Sequence, residues 1–147
     1  MKDLFSIKGK IALVTGGSRG IGEMIAAGFL ASGAKVYISS RKGEVCDATA
    51  DRLSNKYNAE CVSLPSDLSN LDGIESLVTE LGNKESYLDI LVNNAGAAWG
   101  APLDEYPENG WDKVMDTNVK GVFFLTQKLL PLLREAAKSN PSRVVNI

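Results

Sequence analysis

The sequence predicts an α/β fold with a doubly wound parallel sheet. Short apolar runs, the candidates for buried strands, alternate along the chain with longer segments in which apolar residues recur at helical spacing. Strands that are apolar throughout are typical of parallel sheets covered on both faces, and right-handed crossovers place helices on both sides. The 147 residues contain no repeat or linker, so we expect one domain over residues 1–147.

The first half of the chain contains three predicted strands and two predicted helices. The strands are Ile11–Thr15, Lys35–Ser40 and Glu60–Leu64, and the helices are Ile21–Ser32 and about Glu44–Tyr57. Gly33 stands where a helix C-terminus favours glycine, and Pro65 ends the third strand.

The second half contains two more predicted strands, Leu88–Asn93 and Arg143–Ile147. Between the third and fourth strands, an apolar stripe predicts a helix that Ser69 or Asn70 could cap; the stripe is Ile74, Leu77, Val78 and Leu81. A loop from Asn94 to about Pro107 then leads to a long helix over Glu108–Ala137. Pro131 lies inside this helix and is expected to kink or break it.

A glycine-rich turn, Thr15–Gly22, joins the first strand to the first helix and reads TGGSRGIG. Glycines let backbone N–H groups approach a phosphate closely, and the helix dipole favours an anion at the same point. The predicted contacts of a dinucleotide here are Gly16, Ser18, Arg19, Gly20, Ile21 and Gly22. The alternative is that the glycines only close a tight strand–helix turn.

The end of the second strand indicates which dinucleotide is bound. Folds that prefer NAD place an acidic residue there to bind the ribose 2′-hydroxyl, but this chain has Ser40 followed by Arg41. Arg41 and Arg19 could both reach a 2′-phosphate, and charge-assisted bonds of this kind contribute roughly 1.5–3 kcal/mol each. We therefore expect NADP(H), against the alternative that Arg41 is a solvated surface residue. Ser40 also disfavours a methyltransferase, which would need an acid at this position.

Composition excludes several other functions. The net charge is −2, which gives no reason to expect nucleic acid as a partner, and no apolar stretch is long enough to span a membrane. The N-terminal stretch from Met1 to Phe5 lacks the apolar segment of a secretory signal. The chain has no histidine, and Cys46 and Cys61 lack metal-type spacing, so we expect no metal and two reduced thiols in a cytoplasmic protein.

Four motifs in register resemble the short-chain dehydrogenase/reductase family in its short form. They are Thr15-Gly16-x-x-x-Gly20-x-Gly22, Asp67-Leu68, Asn93-Asn94-Ala95-Gly96 and Asn118. The resemblance covers essentially the whole chain and implies a Rossmann fold, of which these residues contain the first five strands. The run from Asn94 to Trp99, together with Trp111 and Leu129–Leu133, looks similar to 3-oxoacyl reductases of the rhamnolipid-biosynthesis type.

The resemblance implies roles for residues beyond the glycine turn. Asp67 would accept a hydrogen bond from the adenine amino group with help from the Leu68 N–H, although Asp67 also suits a turn. The backbone at Asn94, Ala95 and Gly96 would pass close to a ribose. Asn118 would bend its helix and belong to the catalytic proton relay; the alternative is an exposed polar residue. Asn93 is expected to be structural, and Trp99 and Tyr106 either line a substrate entrance or simply pack.

The family's reaction also needs a Ser after the fifth strand and a Tyr-x-x-x-Lys pair, which these residues do not contain. Four places after Tyr37, Tyr57, Tyr87 and Tyr106 stand Arg41, Cys61, Leu91 and Gly110. Two functions stay open: the cofactor-binding part of an NADP(H)-dependent reductase of small-molecule carbonyls, or a non-catalytic nucleotide-binding module. An uncovered strand edge at the end of the chain favours the first. We expect no turnover from this polypeptide alone, and a homodimer or homotetramer for the full-length form.

Overall fold

Five parallel strands form one sheet in a computed structural model that describes residues 5–147. Met1–Leu4, which carry most of the expectation about a secretory signal, lie outside the described residues. The strands are β1 (Ile11–Thr15), β2 (Lys35–Ser39), β3 (Cys61–Ser63), β4 (Ile90–Asn93) and β5 (Arg143–Asn146). Their order across the sheet is β3-β2-β1-β4-β5. β2 and β3 are added on one side of β1, and β4 and β5 on the other, so the switch point of the winding lies between the neighbouring strands β1 and β4.

Helices connect the strands and cover both faces of the sheet. They are α1 (Gly20–Ala31), α2 (Gly43–Tyr57), α3 (Leu71–Lys84), α4 (Glu108–Met115) and α5 (Val122–Ala137). One 3-10 turn, Leu103–Glu105, lies in the loop after β4. Of the two candidate caps for α3, Asn70 takes the role, because its Oδ1 accepts from the Gly73 N–H at 2.8 Å.

Alternate strand residues divide the core into two layers. Leu13, Tyr37 and Leu91 pack with α3 and α5, whereas Val14 and Ile38 pack with α1 and α2. All five residues of β1, the central strand, are buried. This arrangement confirms the predicted doubly wound sheet.

Of the two effects expected of Pro131, a kink or a break, the break is wrong. α5 runs unbroken from Val122 to Ala137 with Pro131 on its exposed side, where water can satisfy the carbonyl that lacks a proline N–H partner. The interruption lies instead at Asp116–Gly121, a π-helical segment between α4 and α5. A Cβ at Gly121 would collide with the Leu68 carbonyl, so tertiary contact with the loop after β3 requires glycine in this segment.

The β5 edge of the sheet is exposed. This strand pairs with β4 alone, and Val144 and Val145, which point to opposite faces, are 43% and 42% exposed. An uncovered edge is what the sequence predicts for this strand. Within residues 5–147, none of the helices combines the length and apolar character that crossing a membrane would require.

Candidate functional site

A cavity of about 560 Å³ opens at the carboxyl ends of the strands, beside the point where the winding reverses. Ligands of open α/β sheets bind at this position. Segments after β1, β2, β3 and β4 line it: Gly16, Ser18–Ile21, Ser39–Lys42, Val45, Ser66–Ser69, Asn94–Ala97 and Thr117.

Two features of the glycine turn between β1 and α1 require glycine. Gly16 and Gly20 have φ values of +64° and +58°, in the left-handed region that other residues rarely adopt. A Cβ at Gly22 would collide with the Gly16 carbonyl oxygen and lie 2.5 Å from Asn94 Nδ2. The turn therefore folds tightly back over the start of α1.

The N-terminus of α1 is open toward an anion. Arg19 precedes the helix in an extended conformation, with φ −163° and ψ 168°, and provides no side-chain hydrogen bond to the first turn. The first N–H groups of a helix need partners from outside the helix, and the helix dipole favours a negative one. Because Arg19, Gly20 and Ile21 line the cavity, a phosphate there could accept from these groups.

The hydroxyl of Thr15, a residue that sequence reasoning did not assign to the site, joins the glycine turn to β4. Thr15 is 1% exposed, and its Oγ1 donates to the Val92 carbonyl at 3.2 Å. The same oxygen accepts from the backbone N–H groups of Asn94 and Ala95, both at 2.9 Å. Asn94 Nδ2 donates in return to the carbonyls of Thr15 (3.0 Å) and Gly16 (3.4 Å), so the predicted ligand Asn94 also clamps the turn.

Three basic side chains border the cavity on the β2 side. Arg19 and Arg41 were predicted here, and Lys42 joins them. All three are exposed, and none pairs with an acidic side chain anywhere in residues 5–147. Of the residues that the structure describes, Asp67 is the one acidic residue on the cavity wall. This excess of unpaired positive charge favours a ligand that carries more than one phosphate.

Asp67 is partly engaged in its own turn. Its Oδ1 accepts from the Ser69 N–H at 3.0 Å and from the Ser69 hydroxyl at 2.8 Å. Its other carboxylate oxygen has no hydrogen-bond partner among the residues that the structure describes, so a ligand donor could bind there. Both interpretations of Asp67, turn residue and ligand, are compatible with this geometry, and the buried Leu68 beside it also lines the cavity.

Asn118 lies in the π-helical segment and does not line the main cavity. Its Oδ1 accepts from the Ala97 N–H at 2.8 Å, and its Nδ2 donates to the Ala97 carbonyl at 2.9 Å. The side chain thus fixes the loop after β4. Asn118 lines a second cavity of about 300 Å³, together with Asn93–Gly96, Val122, Asn146 and Ile147.

Asn93 and Trp99 make structural contacts. Asn93 is 3% exposed, and its Nδ2 donates to the side-chain oxygens of Asn146 (2.9 Å) and Thr126 (3.1 Å). These bonds link β4 to β5 and α5. Trp99 packs on Gly110, where a Cβ would come within 2.8 Å of the indole ring. Tyr106 donates to the Trp99 carbonyl at 3.4 Å. Neither aromatic residue lines the two cavities.

Twelve of the thirteen predicted cofactor contacts therefore meet in one cavity; Gly22 is buried beneath its wall. Residues that the sequence analysis missed also line it, namely Ser39, Lys42, Val45, Ser66, Ser69, Ala97 and Thr117. Most of these directly adjoin a predicted residue, so extending each motif by one or two positions would have found them. Val45, on the first turn of α2, has no such signal.

The two cysteines are buried, Cys46 on α2 and Cys61 at the start of β3. Cys46 and Cys61 are free, and burial, with a smaller effect of Cys46, raises the pKa of the Cys61 thiol to about 12. No group of three or more metal-ligating side chains occurs between residues 5 and 147.

At its switch point the parallel sheet carries a glycine turn, an open helix N-terminus and a basic rim formed by Arg19, Arg41 and Lys42. These features define a nucleotide-binding protein of the α/β class. The model of the family described as short chain dehydrogenase matches residues 10–147. The chain belongs to this family.

Similar proteins include reductases from bacteria. The chain is 54% identical, over all its length, to the rhamnolipids biosynthesis 3-oxoacyl-[acyl-carrier-protein] reductase of Pseudomonas aeruginosa, and spans 57% of that protein. A structure described as the Pseudomonas aeruginosa RhlG/NADP active-site complex matches with a TM-score of 0.92 and 54% identity, over 99% of this chain and 57% of that one. The L-sorbose reductase of Gluconobacter frateurii, complexed with NADPH and L-sorbose, matches at 26% identity and a TM-score of 0.88, over 96% of this chain and 52% of that one. The chain thus spans little more than half of each.

Proposed function

We propose that this chain is the cofactor-binding part of an NADP(H)-dependent oxidoreductase that reduces a carbonyl to an alcohol, with a 3-oxoacyl compound or a similar ketone as substrate. The observation that carries the proposal is the cavity that combines an uncapped α1 N-terminus with three unpaired cations. The similarity to a 3-oxoacyl reductase, and to structures that contain NADP or NADPH, supports the same cofactor and substrate class.

The residues present fit NADP(H). The backbone N–H groups at the start of α1 and the hydroxyl of Ser18 would hold the pyrophosphate, and Gly22 leaves the turn room to fold there. Arg19, Arg41 and Lys42 would hold the 2′-phosphate beside Ser40. Asp67 and Leu68 would contact the adenine, and the backbone of Asn94–Gly96 would contact a ribose. When bound, NADPH supplies the hydride for reduction.

We further propose that these 147 residues bind the cofactor without turning it over. None of the tyrosines in the described part of the chain lines either cavity. Tyr37 illustrates this: it is 1% exposed and donates its hydroxyl to Glu85 at 2.5 Å, away from the site. Of the family's catalytic groups only Asn118 is proposed here, through its place in the second cavity.

We propose that the whole protein is a homodimer or homotetramer in the cytoplasm. Exposed apolar side chains on α4, α5 and the π-helical segment between them support self-association: Trp111, Val119 and Phe123. The two free, buried cysteines are compatible with a reducing compartment.

Titration of the chain with NADPH and NADH tests the proposed cofactor. We expect tighter binding of NADPH, and an approximately tenfold weaker NADPH affinity for Arg41→Ala with no change for NADH, because exposed charge-assisted bonds contribute at the low end of their range. Arg134→Ala, an exposed arginine on α5, is the matched control. Equal affinities of the unmodified chain for the two cofactors would contradict the proposal. NADPH oxidation by the chain with a ketone would contradict the predicted absence of turnover.

A further inference from the structure

Thr49, on α2, holds the backbone of the glycine turn by one buried hydrogen bond. Its Oγ1 donates to the Ser18 carbonyl at 3.0 Å, and the two residues are 5% and 9% exposed. No other side chain in residues 5–147 hydrogen-bonds to the backbone of residues 17–19. Thr49 is therefore the side chain that holds this part of the turn, beside the backbone bond that the Gly17 N–H donates to the Ser39 carbonyl at 3.1 Å.

This bond sets the direction of the next N–H group. In a trans peptide the carbonyl and the N–H point to opposite sides, and the chain has no cis bond in its described part. Because the Ser18 carbonyl points at Thr49, the Arg19 N–H points away from α2. That N–H has no hydrogen-bond partner within the described residues, and Arg19 lines the cavity.

The same helix begins directly after two of the cations on the rim. α2 starts at Gly43, next to Lys42 and Arg41. Its first turns are fixed to β2 because the Cys46 thiol contacts the Ile38 carbonyl at 3.5 Å. α2 is also linked to α1 by an ion pair, Arg52 with Glu23 at 2.9 Å, but this pair lies at the surface, where ion pairs contribute little to stability. Thr49 is thus the buried polar link between the helix that carries the rim and the glycine turn.

We propose that Thr49 is a positioning residue for the cofactor: it orients the Ser18–Arg19 peptide and fixes the glycine turn relative to the Arg41–Lys42 rim. The two regions then bind the pyrophosphate and the 2′-phosphate of one ligand without rearranging. This inference rests on the proposed NADP(H) site. Losing the bond leaves the turn free to relax, so ordering it becomes an added cost of binding.

The test compares Thr49→Val, which keeps the shape of the side chain, with Thr49→Ser, which keeps the hydroxyl. Ser54→Ala is the matched control: Ser54 is on the same helix, and its hydroxyl bonds to the backbone of Cys61 (3.0 and 3.1 Å) away from the cavity. We expect Thr49→Val to raise the Kd for NADPH five- to tenfold, roughly 1–1.4 kcal/mol. Thr49→Ser and Ser54→Ala should stay within about twofold, at a temperature where all variants are folded.

Amide hydrogen exchange over residues 17–23 of the unliganded chain gives a second readout that needs no cofactor. It should accelerate in Thr49→Val but not in Ser54→Ala. An NADPH affinity of Thr49→Val equal to that of Ser54→Ala, or unchanged exchange in the turn, overturns the inference. If the unmodified chain binds no NADPH, the proposed function fails, and the exchange data still decide whether Thr49 holds the turn. Should Thr49→Val not fold, Thr49→Ala takes its place in both measurements.

Discussion

Replacing Thr15 by valine removes the hydroxyl that joins the glycine turn to β4 and leaves the shape of the side chain nearly unchanged. In the native protein this oxygen makes three hydrogen bonds, one donated to Val92 and two accepted from the Asn94 and Ala95 N–H groups. The residue is 1% exposed, so water cannot reach the oxygen's position freely. Thr15→Val therefore strands two backbone donors at the end of β4.

The expected loss of stability follows from these bonds. An intramolecular hydrogen bond contributes about 1 kcal/mol net, and a buried group left without a partner costs about 1–3 kcal/mol. Because the two N–H groups are partly buried, we expect the free energy of unfolding to fall by about 3 kcal/mol. For a chain of this size that corresponds to a melting temperature lower by roughly 6–12 °C.

Thermal and urea unfolding, followed by circular dichroism, measure this loss. Thr15→Ser is the control, since it keeps the hydroxyl and loses one methyl group, at a cost of about 1 kcal/mol. We also expect weaker NADPH binding in the valine variant only, because Asn94 and Ala95 line the cavity. Equal stability of the valine and serine variants would refute the reasoning, since the methyl group and not the hydroxyl would then be the important part.

Two further predictions concern the turn and the core. Gly22→Ala should abolish NADPH binding in a titration and lower the melting temperature, because its Cβ would collide with the Gly16 carbonyl. Gly28→Ala is the control: its Cβ meets nothing within 4 Å, so it should raise the free energy of unfolding by about 0.5–1 kcal/mol. Similar behaviour of the two variants would contradict this prediction. Burial and a hydrogen bond to Glu85 raise the pKa of Tyr37 from its ordinary 10 to about 12, so the native state favours the protonated phenol. Its stabilisation, at most about 3 kcal/mol, is complete below pH 10 and is lost as pH rises toward 12. Urea unfolding at pH 9 and 11 measures how far the free energy of unfolding falls with pH, and this fall should be smaller for Tyr37→Phe than for the unmodified chain. Part of the fall should remain, because the pKa of Cys61 is also about 12. An equal fall in both would exclude the Tyr37 contribution.

Most of the fold could be predicted because its signals are local. β1 begins and ends as the apolar run Ile11–Thr15 predicts, and the shorter observed β3 and β4 differ from prediction only at their ends. The break predicted at Pro131 does not occur because the cost of a helical proline depends on where the freed carbonyl points, which is a tertiary property. The break at Asp116–Gly121 depends on contacts of Asn118 and Gly121 with distant loops, which no periodicity reveals.

The residues of the site also fall into a predictable group and an unpredictable group. The glycines and Arg41 could be predicted because turns and strand ends place them at one sheet edge whatever the details of packing. Thr15 and Thr49 could not, because each acts by a hydrogen bond to a residue 31 or more positions away. Thr15 is the first residue of the glycine motif, but the motif does not reveal its hydrogen bonds to Val92, Asn94 and Ala95, and Thr49 belongs to no motif.

These two threonines hold opposite flanks of the same turn, Thr15 on the β4 side and Thr49 on the α2 side. Sites without shared partners usually add in free energy, whereas sites coupled through one backbone segment do not. If the turn behaves as a unit, either valine variant already lets it relax, and the double variant should lose less NADPH affinity than the sum of the two single losses. A coupling of at least about 0.5 kcal/mol in a double-mutant cycle is the expected result. Strict additivity would mean that the β4 and α2 flanks position different parts of the cofactor independently, which would contradict a single preorganised turn.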